Sequence, residues 1–164
     1  MRSRLFALLV LTPVLLVGVL AGAASAHPHA HGGSPVELEA TRTMLHLSEP
    51  SPLPGYDGVA HFSVTERAVT EGPGISMVET GEYRCTQAAD VIRCRGVIHG
   101  EGVVLGQSGT IRSLVSIVCN LQIECDGRGT LKGVGGELTD LRGTATSESV
   151  AQGVAAIHYR LYRI

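Results

Sequence analysis

Leu131-Lys132-Gly133-Val134-Gly135-Gly136-Glu137-Leu138-Thr139-Asp140-Leu141-Arg142-Gly143-Thr144-Ala145 is the stretch on which the reading of the fold turns. Glycines crowd its first half, a composition that weakens a helix but suits tight turns and bends in a strongly curved sheet. Outward from it the apolar period is two. Ile157, Tyr159 and Leu161 face one way, and His158, Arg160 and Tyr162 the other. Val36, Leu38 and Ala40 alternate with Glu37, Glu39 and Thr41, and Phe62, Val64 and Ala68 with His61, Ser63, Thr65 and Arg67. Such alternation marks strands with one buried and one wetter face. Turn chemistry at Pro52 to Gly58, Gly72-Pro73-Gly74, Asp126-Gly127 and Gly133 to Gly136 separates the runs, and no amphipathic helix is evident after residue 26. An all-β domain of short strands, barrel or sandwich, follows.

The quoted segment resembles the glycine-rich turn of the allene oxide cyclase and dirigent barrel families, which typically reads Gly-Gly-Thr-Gly-x-Phe-x-Gly-Ala-x-Gly before two closing strands. Gly133, Gly136, Leu138 and Gly143 fall on that pattern. Val134 and Asp140 stand where glycine is usual, and Leu138 replaces the common aromatic. The resemblance implies a single antiparallel, eight-stranded closed barrel with an apolar central cavity open at one end, and Val150 to Ile164 as its final strand. In related proteins such a cavity folds a reactive intermediate into one geometry, without a cofactor. No catalytic residue transfers, because the early strands align too loosely.

The first 26 residues read as a cleaved signal peptide: Arg2 and Arg4, an apolar run from Leu5 to Leu20, then Ala24-Ser25-Ala26. The run is shorter than a spanning helix needs and is broken by Pro13 and Gly18. A secreted, extracytoplasmic chain beginning at His27 is expected, with a flexible His-rich leader at 27–34, a barrel domain at 35–164 and no membrane insertion once the leader is removed. One lysine, Lys132, and a mildly acidic balance argue against nucleic acid and anionic membrane partners.

Cys85, Cys94, Cys119 and Cys125 form an even set in an exported chain and read as two disulfides. Cys85 and Cys94 bracket a turn-like Gln-Ala-Ala-Asp, and Cys119 and Cys125 enclose a short loop, so sequential pairing is favoured over the other two connectivities. No Cys-x-x-Cys zinc knuckle is present.

Three histidines, His27, His29 and His31, gather imidazoles that suit Cu(II), Ni(II) or Zn(II). Pro28 has no amide proton to lose, which removes the usual amino-terminal copper site; a solvated leader is the plainer reading, and no metal is assigned. Of the strand ionisables His61, Glu66, Arg67, Glu79, Glu82, Arg84, Arg93, Arg95 and His99, one or two are expected to enter the barrel, where burial shifts a pKa. Tyrosines Tyr56, Tyr83, Tyr159 and Tyr162 offer an apolar body with a polar tip. The expected ligand-binding set is Phe62, Val64, Glu66, Tyr83, Arg93 and Tyr159, with Ala68 as a small inward residue whose enlargement would fill the cavity. Nucleophile and phosphate-loop motifs are absent.

Three functions stay open. One is a barrel that binds an apolar small molecule. The second is a cofactor-free cyclase or isomerase that confines a flexible substrate. The third is a structural or protein-interacting envelope protein. Homo-oligomerisation is undetermined. A cavity of a few hundred cubic ångströms with inward polar groups favours the first two; a barrel filled to its centre favours the third.

Overall fold

The computed structural model describes residues 34–55, 58–122 and 124–164. Nine strands follow one another: β1 (Val36–Leu47), β2 (Ser51–Pro52), β3 (Ala60–Gly72), β4 (Ile75–Ala88), β5 (Val91–Val104), β6 (Gln107–Asn120), β7 (Cys125–Gly136), β8 (Leu141–Ala151) and β9 (Val154–Arg163). Every pairing is antiparallel and joins near neighbours along the chain, except that β1 pairs with β9, Val36 opposite Leu161. Because β1 also pairs with β3, the sheet closes into an eight-stranded barrel. The short β2 prolongs the wall beside β3, Pro52 opposite Phe62.

The period of two in the sequence becomes the inside and outside of this barrel. Ile75, Met77, Glu79, Gly81, Tyr83 and Cys85 are buried along β4, while the residues between them are exposed. Ile157, Tyr159 and Leu161 are buried on β9. In β1 the register slips between Met44 and His46. A slip of one residue exchanges the faces, so Leu45 points away from the cavity, while Met44 and the partly exposed Leu47 both border it. Asp126-Gly127, expected as a turn, lies inside β7, and the final strand begins at Val154. The β6–β7 connection instead falls at 121–124, where the Asn120 side-chain oxygen accepts from the backbone amides of Gln122 and Glu124 at 3.0 Å each.

One end of the barrel is solid. Ile75, Val104, Ile111, Leu131, Leu141 and Leu161 pack there around Leu138, which comes from the β7–β8 turn and is fully buried. Burying a leucine of this kind contributes roughly 1.5–3 kcal/mol. The glycine-rich segment makes the plug possible. A side chain on Gly133 would overlap the Leu138 carbonyl, and Gly136 has a φ of +66°, with a Cβ there falling 2.7 Å from the Ser108 carbonyl oxygen. Glu137 stitches the turn to β6: its amide donates to the Ser108 carbonyl and its carboxylate accepts from the Ser108 amide, both at 2.9 Å.

The disulfides form as the spacing predicts. Cys85–Cys94 bridges facing positions of β4 and β5, and Cys119–Cys125 bridges facing positions of β6 and β7. Both lie in the half of the barrel opposite the plug.

Candidate functional site

Towards that opposite end the interior widens, and the cause is visible in the inward residues. On β7 they run Leu131, Gly129, Gly127 from the base outward, and on β8 Ala145, Ser147, Ser149. Replacing large side chains by small ones along two neighbouring strands leaves a cavity of about 590 Å³ with a predominantly apolar wall, the size and character of a small-molecule site. Phe62, Val64, Ile92, Val115 and Ile117 supply the apolar lining of the far wall, and both disulfides border the space.

The floor of the cavity is polar. Arg42 of β1 lies between two carboxylates: its Nε donates to Oε2 of Glu79 on β4 at 2.6 Å, and its Nη2 forms an ion pair with Oε1 of Glu66 on β3. The three side chains retain 14 %, 10 % and 4 % of their exposure for Arg42, Glu66 and Glu79. Desolvation alone would lower the Arg42 pKa, but the Glu79 and Glu66 carboxylates more than offset it and hold the guanidinium charged. Among the described residues, no group of three metal-ligating side chains is gathered.

Two tyrosines complete the floor. Burial, reinforced by Glu66 and Glu79 and opposed by Arg42, pushes the Tyr83 phenol well above its ordinary value. Burial, reinforced by Glu79, does the same to Tyr159. Both remain neutral hydrogen-bonding groups across the physiological range. The Tyr83 hydroxyl is inaccessible to solvent and interacts with the Glu66 carboxylate.

Of the expected ligand set, Phe62, Val64, Glu66, Tyr83 and Tyr159 all line this one cavity. Arg93 does not. It is exposed on β5 beside inward-facing Cys94, on the outer surface. Tyr162 is likewise exposed, next to buried Leu161. Ala68 points inward but lies beneath the cavity, paired with Glu79 and wholly buried, so it is not a wall residue. Ala145 is the small wall residue that enlargement would use to fill the space. His27, His29, His31 and Tyr56 lie outside the described residues.

Arg42 was not among the expected residues, and Glu79 was one of nine undifferentiated candidates. The signal for Arg42 is the alternation itself: Val36, Leu38 and Ala40, continued by one step, place Arg42 inward.

No protein-family model and no curated protein sequence matches the chain. Among solved structures, the crystal structure of an enzyme from Penicillium herquei is similar at 12 % identity and a TM-score of 0.47, covering 82 % of this chain and all of that one. A likeness of that depth says nothing about substrate.

Proposed function

We propose that this protein is an exported barrel that binds an apolar small molecule, with one end of the ligand seated on the Arg42–Glu66–Glu79–Tyr83 floor. The observation that carries this reading is the pairing of a roomy apolar cavity with a buried polar floor, Arg42 set between Glu66 and Glu79 with Tyr83 beside them. A purely structural barrel gains nothing from such a void, since unfilled space forfeits packing contacts. Two disulfides suit a chain that works outside the cytoplasm.

A second reading is a cofactor-free cyclase or isomerase. Buried carboxylates beside a neutral phenol and a fixed guanidinium are groups that can move a proton and stabilise charge on a confined substrate. The resemblance of the Gly133–Gly143 segment to the allene oxide cyclase and dirigent turn points the same way.

Displacement titration decides whether the cavity is a ligand site. Wild-type protein should bind a neutral apolar dye saturably, and Ala145→Phe should abolish that binding while retaining a cooperative melt. Equal binding by the filled variant, or no saturable binding by wild type, overturns the proposal. Incubation with a reactive polyene or epoxide substrate, followed by product stereochemistry, separates binding from catalysis.

A further inference from the structure

We infer that the deep end of the ligand is a hydrogen-bond donor, an amine or a hydroxyl, and not a carboxylate; this rests on the cavity being a ligand site as proposed above. The floor holds one cation against two anions, because Arg42 is shared between Glu66 and Glu79. Among the described residues, no further lysine or arginine reaches the floor: Arg128, the other arginine on the cavity wall, is an exposed residue of β7, in the half of the strand away from the plug, and the remaining basic side chain of the lining is His61 on β3. The floor therefore carries more acceptor capacity and more negative charge than Arg42 neutralises. Ionised carboxylates accept hydrogen bonds and donate none.

A second feature points the same way without depending on the charge count. Tyr83 lines the same cavity with its hydroxyl against the Glu66 carboxylate, so its oxygen keeps acceptor lone pairs. Facing an ammonium or hydroxyl group, its oxygen can accept while Glu66 or Glu79 takes a second donor proton. Both phenols at the floor register a field in which the carboxylates add to the effect of burial. A ligand carboxylate would bring a third anion to one guanidinium whose Nε and Nη2 are already engaged. Selection against it is electrostatic and is strengthened by the apolar wall above.

The test uses the full chain with a bound neutral dye and three probes that differ only in the terminal group: decylamine, decanol and decanoate, each below its aggregation threshold at pH 7. The amine and the alcohol should displace the dye at concentrations at least about tenfold lower than the acid. Glu79→Gln should narrow that gap, and Glu66→Gln provides a second variant should the first fold poorly. Decanoate displacing the dye as readily as the other two overturns the inference while leaving the cavity a ligand site. Absence of saturable dye binding in wild type overturns both.

Discussion

The Tyr83 ring runs along the barrel wall over Gly81, two residues earlier in the same strand. A side-chain carbon at Gly81 would come within 2.6 Å of the ring Cε2 and 2.7 Å of the hydroxyl oxygen. Gly96, which faces Tyr83 across the β4–β5 ladder, clears the other edge of the ring. Two glycines thus set the direction in which the hydroxyl points: towards the floor. Gly81→Ala is expected to swing the ring into the cavity, lowering dye affinity at least about tenfold at a stability cost of about 1–3 kcal/mol. Paired binding and thermal unfolding measurements check this; unchanged affinity would refute the positioning role.

Arg42 is the counter-ion shared by two buried acids, so its loss should be felt more than that of either one. Arg42→Met should destabilise the barrel by about 3–5 kcal/mol, the usual consequence of leaving buried charge uncompensated. Adding Glu66→Gln and Glu79→Gln to that variant should recover part of the loss. Chemical denaturation of the series measures the coupling, and additive losses would mean that the three residues do not act as a unit.

Gly136→Val forces a β-branched residue into a backbone with φ of +66° and against the Ser108 carbonyl. The expected cost is about 1–3 kcal/mol, read as a lowered melting temperature. A variant that melts with wild type would show that the turn relaxes freely.

Neither disulfide should be dispensable. The bridges close loops with sequence separations of 9 and 6 residues, each contributing about 2–3 kcal/mol in the chain-entropy picture. Replacing either pair with alanines should lower the denaturation midpoint accordingly, and native protein should resist alkylation.

Alkaline pH should weaken the fold through its floor. Tyr83 and Tyr159 hold their protons above the ordinary phenol value of 10.0, so near and above that pH the unfolded chain releases protons that the folded chain retains. Their contribution is fully present below about pH 10 and is lost as the pH rises towards the folded values. Ultraviolet phenolate absorbance of folded protein should lag behind that of the same chain in denaturant. Coincident curves would mean that the floor is wet.

Much of this was legible in the residues. Period-two runs marked the strands, and local cysteine spacing marked two hairpins. Phe62, Val64, Glu66, Tyr83 and Tyr159 all reached the interior because each shares parity with apolar neighbours on its strand. Arg93 failed for a reason the same sequence contains. Cys85 and Cys94 face each other across β4 and β5 and so lie on one side of the sheet; Tyr83 shares that side with Cys85, and Arg93, adjacent to Cys94, must take the other. Arg42 was hidden by its charge, which reads as a surface residue until its partners are known. Those partners lie on strands that meet only when the barrel forms, and local pattern cannot show that.

The seam between β1 and β9 has a consequence for how the chain matures. Its first strand to be synthesised finds one of its two partners only after the last strand is released, with Val36 waiting for Leu161. Until then β1 and β8 both present unpaired edges, which invite pairing with other chains. Joining segments so far apart is the slow step of such a topology. Loss of Val154–Arg163 would therefore do more than shorten the protein: it would turn a closed, self-contained barrel into an open sheet that assembles with its own copies.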